Sequence, residues 1–103
     1  MNRYHVDIAP DARAVLFEWV ERCENDHGNE VANDLIDSYE NMITILEENP
    51  LSGTGRIQDI PKKYRAFHLW RHLWCVYQVY DDQRAVKIEY IIDERQNYRI
   101  FVK

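Results

Sequence analysis

Residues 62–81 read KKYRAFHLWRHLWCVYQVYD. Aromatic and β-branched residues dominate the run, and it divides into two strands, near 64–71 and 73–81. Successive side chains of a strand alternate between faces, so Arg65, Phe67, Leu69 and Arg71 are expected to share one face. That pattern suggests a groove with an apolar floor and a basic rim, placed on the half of the sheet that helices leave bare. Both arginines would serve equally to pair with acids of the helices. His68 falls on the opposite face with Tyr64, Ala66 and Trp70, where a histidine satisfied within the core is the expectation. His72 sits at the turn between the strands and has the chemistry for proton transfer near neutral pH. Trp74 is the better of the nearby tryptophans for a ring that faces a ligand. Lys62 and Lys63 extend the basic run, and also suit a sheet edge guarded against strand pairing.

Moving outward, Asp81-Asp82-Gln83-Arg84 forms a turn into a further strand at 85–92, where Val86, Ile88, Tyr90 and Ile92 alternate with Lys87 and Glu89. The ending RQNYRIFVK reads as a short strand or tail, with Tyr98, Ile100 and Val102 on one side. Upstream, NPLSGTGRIQDIP at 49–61 holds two of the three glycines and two of the three prolines, and is a loop. Before it, Ala32, Leu35, Ile36, Tyr39, Met42, Ile43 and Leu46 keep helical spacing over four turns, and Asn49-Pro50 stops that helix. From Asp11, after Pro10, the residues Ala12, Val15, Leu16, Trp19, Val20 and Cys23 define an earlier helix to about Asn25, and His27-Gly28-Asn29 reads as a short turn in which Gly28 is free to take a positive φ. Tyr4, Val6 and Ile8 alternate with Arg3, His5 and Asp7 in a first strand. The sum is one α+β domain over residues 1–103: an N-terminal strand, an antiparallel two-helix hairpin, then a three- to four-stranded antiparallel meander.

Composition narrows the class. With 46% hydrophobic and 13% aromatic residues, the chain has the material for an ordered core rich in rings. No run approaches the ~18 apolar residues of a membrane span, so a cytoplasmic protein without membrane contact is expected. Cys23 and Cys75 lack metal-ligand spacing and read as reduced core thiols; neither a metal nor a cofactor is expected. The net charge of −5 hides an asymmetry. Residues 1–55 carry three basic and twelve acidic side chains, whereas residues 56–72 carry five basic and one acidic. Such a contrast points to a local acid- or anion-binding patch.

The order of elements, the NPLSGTG loop, the IPKKYRAFHLWRHLWCVYQV run and the VKIEYIIDERQNY ending resemble the RelE/ParE toxin superfamily over almost the whole chain. The pattern is closer to the ParE branch. The resemblance implies a toxin of a type II toxin–antitoxin, plasmid-stabilisation-like module, neutralised by a cognate antitoxin, as a homodimer or a toxin–antitoxin hetero-oligomer. It implies first a toxin that binds a target such as DNA gyrase. The residues themselves make Arg65, Phe67, Leu69, Arg71, Trp74, Lys62 and Lys63 the partner-binding set, open either to the acidic tail of an antitoxin, with aliphatic side chains on Phe67 and Leu69 and carboxylates by the arginines, or to nucleic acid or a nucleic-acid enzyme. The alternative is a metal-independent, ribosome-dependent mRNA endonuclease, with Arg65 and Arg95 over the phosphate, Tyr98 as a stacking or acid group, and His72, or His68, for proton transfer. Trp74 stands where RelE-like nucleases carry an arginine, and the chain is acidic, which together rank the binding toxin first. A non-toxic partner-binding protein on the same fold is the third expectation.

Overall fold

The computed structural model describes residues 3–55 and 60–96. Strand β1 (His5–Ile8) leads into helix α1 (Pro10–His27), with Pro10 in the first turn, where its missing N–H costs nothing. Gly28, at φ 87°, closes α1 through its N–H to the Glu24 carbonyl and opens α2 (Asn29–Glu48) directly. One residue therefore makes the corner of the helical hairpin. Asn49 ends α2, its N–H bonded to the Ile45 carbonyl.

Strands β2 (Arg65–Trp70), β3 (Leu73–Tyr80) and β4 (Ala85–Asp93) follow as a meander. A single 3₁₀ turn at Asp81–Gln83 joins the last two, with Arg84 at φ 50° behind it. The sheet order is β1-β4-β3-β2, and β1 runs parallel to β4, with His5 opposite Ala85 and Ile8 opposite Ile88. The sheet is therefore mixed. The α+β class holds, and the antiparallel part is the meander.

Both helices cover one face. Leu16, Leu35, Met42 and Leu46 meet Leu69, Leu73, Cys75, Tyr77, Val86 and Ile88 in the main core. On the other face Ile60, Tyr64, Ala66, Val76 and Ile92 form a second buried cluster, flanked by Trp74 and Tyr90. Tyr64 and Tyr90 meet there edge-to-face, ring centroids 5.9 Å apart. Among the described residues, no helix is long and apolar enough to cross a membrane.

This arrangement overturns the expected facing of β2. Phe67 lies opposite Cys75 and packs, with Leu69, into the helix-covered core. The supposed apolar floor of a bare groove is thus part of the interior. An irregularity between His68 and Trp70 places Leu69 and Trp70, neighbours in sequence, against that same core. His68, expected to be a core histidine, is exposed on the far face, its ring 5.1 Å from that of Trp74. Cys23 and Cys75 are buried free thiols, as the sequence led one to expect, and burial pushes both thiols up.

Candidate functional site

Arg65 opens β2 on the helix side, opposite Tyr77. Its Nη2 donates to the Leu51 carbonyl at 3.0 Å and to the Gly53 carbonyl at 2.7 Å. Tyr77 reinforces the same corner: its hydroxyl donates to the Pro50 carbonyl at 2.8 Å and accepts from the Gly53 N–H at 3.0 Å. Residues 50–54 lie so close to the sheet that Thr54 and Ala66 exchange backbone hydrogen bonds of 2.8 and 2.9 Å. Arg65 thus fastens the NPLSGTG loop to the sheet. Its Nε is buried with no hydrogen-bond partner among the described residues.

The other end of β3 holds a different assembly. Arg71 and His72 form the exposed turn between β2 and β3, with Arg71 at φ 49° and its guanidinium 4.3 Å from the Trp70 ring centroid. His68 Nε2 lies 2.7 Å from the Arg71 carbonyl oxygen, holding the turn from the far face. Glu94, just past β4, bridges two expected site residues: one carboxylate oxygen is 3.1 Å from His72 Nδ1, and the other accepts from Trp74 Nε1 at 3.2 Å. The hydrogen bond from His72, and then that from Trp74, hold the Glu94 carboxyl below the usual range.

Asp93 is nearly buried and grips Arg95 through Nε at 3.0 Å, Nη2 at 2.8 Å and the backbone N–H at 2.9 Å. Those bonds lower the Asp93 carboxyl and raise Arg95, whose side chain stays 60% exposed. Arg71, His72 and Arg95 converge on one cavity of about 300 Å³, together with Trp19, Arg22 and Trp70.

The structure therefore gathers Arg71, His72, Trp74 and Arg95 at the hairpin end. It leaves Arg65 elsewhere, opposite Tyr77, whereas Arg95 follows Asp93, which pairs with Leu73. Four residues of β3 separate those levels, roughly 13 Å along a strand. The two arginines expected to clamp one phosphate are not brought together. Lys62 and Lys63 are exposed before β2, with Lys63 5.1 Å above the Tyr64 ring. Tyr98 lies outside the described residues.

Asp93, Glu94, Trp19 and Arg22 are the members that sequence reasoning did not single out. Asp93 and Glu94 had a signal, since an acid pair directly before an arginine is placed to hold it. Arg22 follows Trp19 by three residues, the spacing at which helix side chains meet. Among the described residues there is no group of three His, Cys, Asp or Glu able to hold a metal ion.

No family model and no curated protein matches the sequence. Solved structures do match the fold. The chromosomal ParDE toxin–antitoxin system of P. aeruginosa aligns over 90% of this chain and 98% of its own, at 18% identity and a TM-score of 0.71. The archaeal RelE–RelB complex of Pyrococcus horikoshii OT3 covers 91% and 97%, at 15% identity and 0.62. A mutant of E. coli toxin RelE in the free state covers 95% and 90%, at 16% identity and 0.62. With the same helical hairpin laid on the same kind of sheet, this chain has the RelE/ParE-type toxin fold.

Proposed function

We propose that this chain is the toxin of a type II toxin–antitoxin module, held inactive in the cytoplasm by a cognate antitoxin. It arrests growth by binding a target protein, and the likeness to the ParE branch makes DNA gyrase the first candidate. Support comes from the near-complete alignment with the ParDE and RelBE2 structures, described as a toxin–antitoxin system and a toxin–antitoxin complex.

The observation that favours binding over RNA cleavage is the position of Arg65. Its Nη2 is engaged by two backbone carbonyls on the helix-covered side, away from Arg95. A guanidinium already bonded in this way has fewer donors to offer a transition-state phosphate.

One arrangement favours the second reading, a ribosome-dependent mRNA endonuclease. His72, oriented by Glu94 and close to Arg71 and Arg95 around one cavity, joins an acid–base group with cations. Such a set can move a proton and offset charge on a phosphate. Inducible expression of the chain alone in a bacterial host separates the readings. Growth arrest with intact transcripts and an induced DNA-damage response supports the gyrase reading. Arrest with new cuts within codons establishes the nuclease and makes His72, Arg95 and Tyr98 its first residues to substitute. Unimpaired growth sinks the toxin reading and leaves a partner-binding protein on this fold.

A further inference from the structure

We propose that the cavity between the C-terminal half of α1 and the β2–β3 turn binds a terminal phosphate monoester. This site lies on the helix side of the sheet, and the proposal stands whether or not the chain is a toxin.

Three arginines reach the cavity from three separate parts of the chain: Arg22 from α1, Arg71 from the β2–β3 turn, and Arg95 from beyond β4. Two of them are held without a carboxylate. The Arg22 guanidinium lies 4.6 Å from the Trp19 ring centroid, and that of Arg71 lies 4.3 Å from Trp70. Among the described residues, neither makes an ion pair. A guanidinium held over a ring face keeps its N–H donors around its edge, so such contacts orient the group and leave it able to bind. Arg95 is fixed by Asp93 through Nε and Nη2, which leaves its second terminal nitrogen free of those bonds.

The ligand class follows from this count. Donors converging from three directions match the three terminal oxygens of a phosphate monoester, whereas a phosphodiester offers two non-bridging oxygens and a carboxylate two in all. The charge balance also argues for a compact anion. Asp26 lines the cavity and Asp93 offsets Arg95, so the surplus of positive charge is local and small. A volume of about 300 Å³ is at the lower end of small-molecule sites.

Arg71 takes the left-handed backbone that the two-residue β2–β3 turn uses. Here it places an arginine over Trp70 at the cavity rim.

The phosphate can belong to a small phosphorylated molecule or to the 5′ end of a nucleic-acid strand. Titration calorimetry on the full chain tests the site with adenosine 5′-monophosphate, adenosine, and a short oligonucleotide with or without its 5′-phosphate. The monophosphate is expected to bind saturably, one per chain, and adenosine is not. Arg22→Gln and Arg71→Gly are each expected to weaken binding by about tenfold, the loss of one charge-assisted contact. Arg71→Gly suits the left-handed backbone and so preserves the turn, while Arg13→Gln, on the same helix outside the cavity, leaves binding unchanged. Competition by the phosphorylated oligonucleotide alone identifies the source as a strand end, and failure to compete identifies a small molecule. Equal binding of adenosine, unchanged binding in both arginine variants, or no saturable binding of the monophosphate to folded protein overturns the proposal.

Discussion

Arg65 donates to two carbonyls, Tyr77 bonds a third backbone oxygen and one N–H, and Gly53 lies between them. A Cβ added at Gly53 would stand 2.6 Å from the Tyr77 hydroxyl and closer still to the Ala66 carbonyl, so a side chain there displaces the loop. Arg65→Ala is accordingly expected to lower folding stability by about 1–3 kcal/mol, the range for losing charged hydrogen bonds in a part-buried setting. Urea unfolding measures it, and an unchanged midpoint would show that the corner is not held by Arg65. Asp93 and Arg95 make a pH-dependent pair. A carboxyl whose pKa is depressed in the folded state adds stability above its unfolded value of about 3.9, and that stability is lost as pH falls through the folded value. Arg95→Gln is expected to be less stable than the parent at neutral pH, with the gap closing below about pH 4. A gap that persists in acid would place the effect of Arg95 outside this pair.

Among the elements, the helices and their buried faces were legible from sequence, because apolar residues at three- and four-residue spacing leave one possible buried face; the end of α1 was not, since it runs past Asn25 to His27 and Gly28 alone makes the corner expected of residues 27–29. Pro10, Gly28 and Asn49 mark their ends as local chemistry requires. The facing of β2 was not legible. Its residues are apolar at both parities, with Phe67 and Leu69 on one side and Ala66 and Trp70 on the other by simple alternation. Which parity meets the helices depends on the pairing of Phe67 with Cys75 and on the irregularity before Trp70, both set by the rest of the sheet. The hairpin-end cluster was half legible: Arg71, His72, Trp74 and Arg95 stood out by type, but their meeting depends on Leu73 pairing with Asp93. At the β3–β4 turn, Arg84 takes φ 50° while its guanidinium lies a distant 5.9 Å from the Tyr4 ring. Arg84→Gly relieves the left-handed strain and is expected to stabilise the fold by up to about 1 kcal/mol. A lower thermal midpoint in the variant would show that the Tyr4 contact outweighs the strain.

The whole molecule is a two-sided sheet, with helices over one face and a smaller apolar cluster on the other. Leu35 of α2 is fully buried in the larger cluster. Leu35→Ala is expected to cost about 2–5 kcal/mol, the range for a leucine cavity, and to shift a single cooperative transition. Separate transitions by fluorescence and circular dichroism would mean that the two faces unfold independently. The parallel pairing of β1 with β4 has a consequence for how the protein comes into being. His5 must find Ala85, eighty positions further on, and the strand that receives it is an interior strand of the sheet. Contacts of such separation bear a large loop-closure cost and form late. During synthesis the amino-terminal strand therefore waits, unpaired, until the last described strand has left the exit tunnel. A copy made only as far as β3 has no complete sheet, and the described fold can close only once β4 has emerged to receive β1.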